Sequence, residues 1–263
     1  MEFELINSRE NKLVKSVKKL VASSRERSEC GLFVLEGLRL CCDAAINNYT
    51  IETLIISENL EKSIPCDLHS AAKRRVKMPE GLFCTLCDTV NPQGVLCVVK
   101  IPDTVFSLEK LDGGKYLVLE NTADPANLGA MARTAEALGI SGIIICKNGC
   151  DPFSPKAQRA GMGALLRLPI YYGSDITSAV KKLNEKGIKI FAAVVAGEAT
   201  ELNEVAFPDN SAVMIGNEAN GLSDNAIALA DSKITIKMSG RAESLNAAAA
   251  AAIIMWQMTK VGE

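Results

Sequence analysis

The spacing of apolar residues along the first hundred positions predicts a small α/β unit. In residues 11–21 the apolar side chains fall three and four positions apart with lysines between them, as in an amphipathic helix. Periodic segments and short β-branched runs predict further elements: strands at 31–36, 51–57 and 94–100, and helices at 38–47, 67–75 and 80–87. We therefore expect a first domain over residues 1–101 and a Pro- and Gly-containing linker over residues 102–114.

A second α/β pattern fills residues 115–263 and predicts a parallel sheet covered by helices. The predicted strands are 115–120, 142–146, 189–195, 212–215 and 233–237, and the predicted helices are 126–138, 155–160, 174–185, 224–230 and 244–260. Alternation of strands with helices is typical of such sheets, and their ligands bind at the carboxyl ends of the strands. The residues that follow each strand are therefore the candidates for a binding site.

Three strand ends carry unusual residues, and the last of them has the properties of a ligand-binding loop. From Ile234 a β-branched run enters a loop with Gly240, and the loop ends at Ser244, which we expect to be the N-cap of a helix. Free backbone N–H groups and the positive end of the helix dipole meet at such a junction. Six alanines follow, Ala247–Ala252, and their small side chains predict that another element packs closely against this helix.

The two earlier strand ends are polar as well. An Asp-Pro turn precedes a helix that holds Asn127 in its first turn and Arg133 further along. Residues 216–221 read Gly-Asn-Glu-Ala-Asn-Gly, where glycines permit close backbone approach and Glu218 is a hydrogen-bond acceptor or general base. A capping turn with a surface arginine and a tight structural turn explain these stretches about as well. The Gly-x-Gly-x-x-Gly and Walker patterns are missing, which argues against a nucleotide- or NAD-using enzyme.

Positive charge is concentrated in the first third of the chain, although the formal net charge is only −2. Seven lysines and arginines lie between residues 9 and 27 against two glutamates, and a second basic cluster covers residues 73–77. Such a patch is the electrostatic footprint of a surface that meets nucleic-acid phosphates. A solvated helix face explains the same charges equally well.

The cysteines and the hydropathy of the chain favour a reducing compartment. The nine cysteines show no framework of a small secreted domain, no apolar signal peptide opens the sequence, and no run of 18 apolar residues lacks a charge. We therefore expect a cytoplasmic protein, or one of an organelle matrix, that has no membrane partner. Because the chain has one histidine, His69, and a single CxxC, Cys84–Cys87, we also expect no metal site.

Taken together, the three strand ends resemble the motifs of the SpoU/TrmH-type methyltransferases of the SPOUT superfamily. The N-x-x-D-P-x-N-x-G-x-x-x-R-T-A motif is matched from Asn121 to Ala135, and G-x-E-x-x-G-L from Gly216 to Leu222. The third motif, I-P-M-x-G-x-x-x-S-L-N, is matched from Ile236 to Asn246, except that Lys237 replaces the usual proline and leaves the rigidity of that loop open. Weaker matches at residues 33–39 and 91–95 resemble the small RNA-binding domain of the rRNA-modifying branch.

This resemblance implies a parallel-sheet domain with a deep trefoil knot, and methyl transfer from S-adenosylmethionine to a ribose 2′-hydroxyl of RNA. The residues implied to bind the cofactor are Val195, Ala196, Gly197, Ile215, Gly216, Asn217, Gly221, Ile236, Met238, Ser244 and Leu245. The residues implied in catalysis are Arg133, Asn127, Glu218, Ser244 and Asn246. Because arginine is effectively always protonated, we expect Arg133 to orient the hydroxyl and stabilise the developing alkoxide rather than to act as a base.

The partners follow from the same resemblance. The separate N-terminal domain favours large-subunit rRNA of the 23S type over tRNA, and we expect RNA contacts from Lys12, Lys15, Lys19, Arg25, Arg39, Arg74 and Arg75. The family is usually homodimeric, so the alanine run either faces a second subunit or packs within the chain. A catalytically inactive RNA-binding assembly factor on the same fold is a further alternative, against which the retained Asn127, Arg133 and Glu218 argue.

Overall fold

The computed structural model of the chain describes residues 3–60, 63–195 and 198–260. They fold into two compact units. The first contains the chain up to Pro102 together with Phe153–Leu166, and the second contains Asp103–Pro152 and the chain from Arg167 onward.

The first unit is built on a mixed five-stranded sheet. Up to Pro102 its elements are β1 (Glu4–Leu5), α1 (Lys12–Ala22), α2 (Ser24–Cys30), β2 (Leu32–Glu36), α3 (Leu38–Ile46), β3 (Ile51–Ser57), α4 (Cys66–Ala71), β4 (Ala72–Met78), α5 (Glu80–Phe83) and β5 (Val95–Lys100). The strand order is β1-β4-β3-β5-β2, in which β5 runs antiparallel to both of its neighbours. The apolar face of α1, with Val14, Val17 and Leu20, is buried in one core with Ile55 and Val76 of the sheet.

The helix predicted at 67–75 is wrong in its second half. α4 ends at Ala71, and the basic segment after it forms β4, which pairs with β1 and β3. Val76 and Met78 are buried, while Lys73 and Arg74 are exposed. The consecutive charges concealed this strand, because they interrupt the alternation that identifies a half-buried strand.

The second unit contains a parallel sheet, as predicted. From residue 103 onward the elements are β6 (Lys115–Leu119), α6 (Pro125–Ala137), β7 (Gly142–Cys146), α7 (Pro155–Gly161), α8 (Ala164–Arg167), β8 (Ile170–Ser174), α9 (Ile176–Glu185), β9 (Lys189–Ala193), β10 (Thr200–Glu201), β11 (Ser211–Ile215), α10 (Asp224–Ala228), β12 (Ser232–Thr235) and α11 (Ala247–Thr259). The seven strands follow the order β10-β12-β9-β11-β6-β7-β8 and all pairs are parallel. The strand order reverses between β6 and β11, which is where ligands bind in open parallel sheets.

Residues 153–166, which we had assigned to the second domain, pack in the first unit instead. The ring of Phe153 lies 5.0 Å from the ring of Phe33 in β2, and α7 packs against that strand. Arg159 of α7 donates to Asp88 Oδ2 at 2.5 Å. In so short a segment the spacing of apolar residues does not indicate in which of the two hydrophobic cores the segment packs.

No helix in the described ranges is long and apolar enough to cross a membrane. The same ranges contain no group of three or more His, Cys, Asp or Glu side chains that could hold a metal ion.

Candidate functional site

A cavity of about 450 Å³ opens in the second unit where the segments after β9, β11 and β12 meet α11. The predicted cofactor residues that line it are Val195, Ile215, Gly216, Asn217, Gly221, Ile236, Met238, Ser244 and Leu245. The other two, Ala196 and Gly197, lie outside the described residues. The volume and the mostly apolar wall with a few polar groups are those of a small-molecule site.

Part of the cavity wall was missed by sequence analysis. Leu202 and Ile227 add apolar surface, and Glu243 adds a second carboxylate to that of Glu218. These residues lie outside the matched motif positions or at variable positions within them. No sequence signal that we recognise would have identified them.

The alanine run packs within the chain. Ala247, Ala250 and Ile254 line the cavity, and Ala251 is fully buried. α11 also packs against α6. The spacing of three and then four positions places the cavity-lining residues on one helix face, so this periodicity is the signal that could have found them. The small side chains let α11 approach both the cavity and α6.

The loop after β11 is a tight turn that closes on itself. Asn217 N–H donates to Gly221 O at 3.0 Å, and Gly221 N–H donates to Asn217 O at 2.9 Å. Gly221 has a φ of +68°, and a Cβ on Gly216 would collide with the backbone of Gly221 and Leu222. Both glycines are therefore required by the turn itself, and the turn in its closed form provides one wall of the cavity.

Hydrogen bonds join the three motif loops through Asn127. Its Nδ2 donates to Glu218 Oε1 at 2.9 Å, and its Oδ1 accepts from Asn246 Nδ2 at 3.1 Å. Glu218 also accepts from the backbone N–H groups of Ala123 and Asp124, at 3.2 and 3.5 Å. The structure thus brings together three of the five residues predicted to act in catalysis.

These contacts favour the ionised form of Glu218. Burial opposes its ionisation, but the hydrogen bonds from Asn127 and from backbone N–H groups outweigh burial and hold the pKa of the carboxyl below its usual value. An ionised acceptor that already has several donors is a poor proton acceptor at neutral pH. Glu218 therefore suits a positioning role better than that of a general base.

The N-cap of α11 is Asn246 and not Ser244, so our prediction of the capping residue is wrong. Asn246 Oδ1 accepts from the N–H groups of Ala248 and Ala249, and the helix begins at Ala247. Serine and asparagine cap helices about equally well, and the sequence offered both. Because Asn246 occupies the cap, Ser244 is left exposed in the cavity wall.

Arg133 stands apart from this network. It lies on the exposed side of α6 with Ala130 and Ala137, and it does not line the cavity. Within the described part of the chain its guanidinium has no hydrogen bond or ion pair. Arg133 is therefore a cation available to a partner from outside the chain.

A further tie, which sequence analysis missed, connects β6 to the turn after β11. Glu120 is buried at the end of β6 and accepts from Ser223 N–H at 2.8 Å and Ser223 Oγ at 2.7 Å. Ser223 Oγ in turn accepts from Ala226 N–H and caps α10. A carboxylate directly after an apolar strand was the available signal, because a buried charge requires partners.

Lys237, which replaces the proline usual in the third motif, forms an ion pair with Glu201 of β10 at 2.7 Å. β10 pairs with β12, the strand that leads into the third loop. The ion pair therefore attaches the start of this loop to the edge of the sheet.

The residues predicted to bind RNA lie in the first unit, and most of them have partners there. Four pair with glutamates: Lys15 with Glu10, Lys19 with Glu26, Arg25 with Glu29, and Arg74 with Glu4 through two hydrogen bonds. Arg75 is only 8% exposed and donates to the His69 carbonyl, so it does not fit an RNA-binding role. Lys12 and Arg39 are exposed and have no partner among the described residues.

Comparisons with known proteins agree with this architecture. Residues 114–256 match the SpoU rRNA Methylase family, and residues 11–97 match the MRM3-like substrate binding domain. The 23S rRNA (guanosine(2553)-2′-O)-methyltransferase RlmP of Bacillus subtilis is 28% identical over 96% of this chain and 98% of its own. An AdoMet-bound rRNA methyltransferase from Sinorhizobium meliloti superposes with a TM-score of 0.87 at 28% identity, over 97% of each chain.

A second solved structure supports the fold. The SpoU methyltransferase AviRb from Streptomyces viridochromogenes has a TM-score of 0.85 at 24% identity, and the match covers 95% of this chain and 96% of AviRb. The family match spans more than half of the chain and includes all three motifs, of which the second and third line the cavity. The chain therefore belongs to the SpoU rRNA methylase family.

Proposed function

We propose that this protein transfers a methyl group from S-adenosylmethionine to a ribose 2′-hydroxyl of large-subunit rRNA. The observation that carries the proposal is that the second and third motif loops line one cavity and that Asn127 of the first motif is hydrogen-bonded to both of them. RlmP of Bacillus subtilis and the Sinorhizobium meliloti enzyme, which match nearly the whole chain, support rRNA as the substrate, because both are named as rRNA methyltransferases. They favour neither tRNA nor an inactive assembly factor.

The cavity suits S-adenosylmethionine in shape and in chemistry. The turn at residues 216–221 and the loop at 236–245 offer backbone groups to the adenine edge, with glycine and apolar residues allowing close approach. The carboxylates of Glu218 and Glu243 offset the positive charge of the ligand. When bound, S-adenosylmethionine supplies the methyl group as an electrophilic sulfonium. Ala196 and Gly197, which the resemblance also implies in cofactor binding, lie outside the described residues.

The chain's part in the reaction is to position a weak nucleophile and to stabilise its charge. A ribose hydroxyl loses its proton as it attacks, so negative charge develops on its oxygen. Arg133, which is always protonated, orients the hydroxyl and stabilises this charge, while a neighbouring RNA phosphate accepts the proton. Glu218 and Asn246 hold Asn127 by hydrogen bonds, so that its position is fixed before the RNA arrives. Ser244 meets substrate or cofactor in the cavity wall.

The RNA surface that we propose differs from the predicted one by a single residue. Lys12 and Arg39 are available in the described part of the chain, and Lys15, Lys19, Arg25 and Arg74 keep exposed side chains in ion pairs that a phosphate can replace. Arg75 is left out because it is buried.

We also infer a homodimer from the outer face of α11. Ile253 and Trp256 are 43% and 59% exposed, and Ala249 lies on the same side of the helix. A second copy of the chain would cover this apolar stripe. Sedimentation of the wild type and of Trp256→Glu tests the inference, and a monomeric wild type would contradict it. The cytoplasmic location and the trefoil knot remain predictions from sequence.

The test of the catalytic assignment is transfer of labelled methyl groups to large-subunit rRNA and, separately, to tRNA. Arg133→Ala should lose more than 100-fold in kcat, as expected on removal of a charge-stabilising group, and should still bind S-adenosylmethionine with wild-type affinity in a calorimeter. The matched control is Lys181→Ala, which removes an exposed cation from α9 of the same unit. Near-normal turnover by Arg133→Ala would refute the assignment, and methylation of tRNA alone would refute the proposed substrate.

A further inference from the structure

A second cavity, of about 290 Å³, lies within the first unit, and of its lining residues only Arg39 belongs to the RNA surface proposed above. Its wall comes from three stretches that are distant in sequence. α3 contributes Arg39 and Leu40, the loop before β5 contributes Asn91 and Gln93, and the end of α7 contributes Arg159 and Met162. Residues 153–166 therefore contribute part of the wall of this cavity.

The acidic groups at this cavity already have partners. Glu36 accepts from Asp88 N–H at 2.9 Å and from the Thr89 hydroxyl. Arg159 donates to Asp88 at 2.5 Å and its Nη1 lies 4.0 Å from Glu36. These contacts hold the loop before β5 in place and offset one of the two carboxylate charges with the guanidinium of Arg159. Of the two arginines that line the cavity, Arg39 is the one without a partner among the described residues.

Arg39 is placed to receive a phosphate. It is the second residue of α3, is exposed, and has no partner in the described part of the chain. The N-cap of α3 is Gly37, which adopts a φ of +100° and has no side chain to cap the helix. The positive end of the helix dipole and the guanidinium therefore act on the same side of the cavity.

The remaining wall suits a nucleobase. Met162 is 38% exposed and offers a polarisable thioether to the face of a ring. Asn91 is exposed, and its amide has no partner within the described ranges, so it can pair with the donors and acceptors of a base edge. Gln93 is fixed by accepting from Leu38 N–H at 3.3 Å and shapes the wall.

We propose that this cavity binds one unpaired nucleotide of the RNA substrate, with the phosphate at Arg39 and the base between Met162 and Asn91. The volume is at the lower end of small-molecule sites, which fits a single nucleotide better than a larger ligand. RNA-binding domains reach sequence specificity mainly through splayed, single-stranded nucleotides. The inference rests on the proposed function for the identity of its ligand, and it assigns the first unit a specific contact in addition to its basic surface.

Titration with nucleoside 5′-monophosphates tests the cavity directly. The four nucleotides are added in turn to the full-length protein saturated with S-adenosylhomocysteine, which blocks the cavity of the second unit. We expect millimolar binding of at least one nucleotide, weakened at least fivefold by Arg39→Ala and by Asn91→Ala. Lys18→Ala, which removes an exposed cation from α1, is the matched control and should bind as the wild type does.

Methyl-transfer kinetics with large-subunit rRNA provide the second arm. Arg39→Ala should raise KM at least fivefold. It should also reduce the slope of the log binding constant against the log salt concentration by about 1, as expected for the loss of one phosphate contact, whereas Asn91→Ala should raise KM without changing that slope. Loss in Arg39→Ala with a wild-type Asn91→Ala would overturn the nucleotide site in favour of a plain basic surface. Absence of nucleotide binding together with unchanged KM in both variants would overturn it completely. A wild type that methylates no RNA would refute the proposed function, while the nucleotide titration would still decide the cavity.

Discussion

Replacement of Gly216 by alanine should open the turn that forms one wall of the larger cavity. A Cβ at this position would collide with the backbone of Gly221 and Leu222. Those atoms belong to a closed turn and not to a flexible side chain, so relief requires movement of residues 217–221. The substitution adds one methyl group and changes no charge.

The size of the effect follows from what the turn would lose. Moving the backbone breaks the two hydrogen bonds between Asn217 and Gly221, each of which contributes about 0.5–1.5 kcal/mol. Strain from inserting a methyl group into a packed site adds about 1–3 kcal/mol. We therefore expect a loss of about 2–6 kcal/mol in the free energy of unfolding. For a unit of this size that corresponds to roughly 5–25 °C in Tm.

The assay is thermal unfolding by circular dichroism, with calorimetric titration of S-adenosylmethionine on the folded variant. Gly240→Ala is the matched control, because Gly240 lies in the third motif loop, is exposed and has open space where its Cβ would lie. We expect its Tm to stay near the wild-type value. Both glycines are motif positions, so the family resemblance alone predicts no difference between the two substitutions. Equal melting temperatures for the two variants would refute the structural reasoning.

Three further variants test other contacts. Because folding lowers the pKa of Glu218, its stabilisation is present above the usual pKa of a carboxyl and is lost as the pH falls through the folded value. Glu218→Gln should therefore lose about 1 kcal/mol at pH 7 and show a flatter decline of stability below pH 5 in urea unfolding; a pH-independent loss would contradict this. Lys237→Met should weaken S-adenosylmethionine binding about two- to fivefold at low salt by releasing the loop from Glu201, with the difference vanishing in 1 M salt; a defect that persists at high salt would show another cause. Arg27→Met should lose about 1–3 kcal/mol in thermal unfolding, since the buried guanidinium donates to the Leu20 carbonyl at 2.6 Å, and an unchanged Tm would exclude that role.

The apolar pattern predicted the parallel sheet, and the resemblance of the motifs indicated which loops line the larger cavity. Strands such as 142–146 are fully apolar, and only a sheet covered on both faces buries such runs. The ligand site then follows from the polarity of the strand ends, because parallel strands bring their carboxyl ends to one edge. The motif residues at 216–221 and 236–245 accordingly meet in one cavity wall.

The errors arose where tertiary contacts decide between equivalent local signals. Residues 72–75 were predicted as the second half of a helix because their charges hide the alternation, whereas β4 pairs there with β1 and β3. Asparagine and serine cap helices about equally well, so the sequence did not distinguish Asn246 from Ser244. In the structure Asn246 is the cap and also donates a hydrogen bond to Asn127. Arg27 and Arg75 donate hydrogen bonds to backbone carbonyls, which no count of surface charge reveals.

Arg133 marks the limit of what local geometry shows. Its place on α6 was predicted from the motif, and the structure leaves it exposed and outside the cavity. In the function proposed above its partner is RNA, which comes from outside the chain. Mutation of Arg133 therefore tests the proposed role directly.

The central claim is that this protein methylates ribose in rRNA, and mapping 2′-O-methyl groups tests it most directly. Large-subunit rRNA from cells with and without the protein would be compared by resistance of each phosphodiester bond to alkaline cleavage. We predict at least one protected position that disappears without the protein, returns with the wild-type gene and does not return with Arg133→Ala. Identical maps with and without the protein would contradict the account.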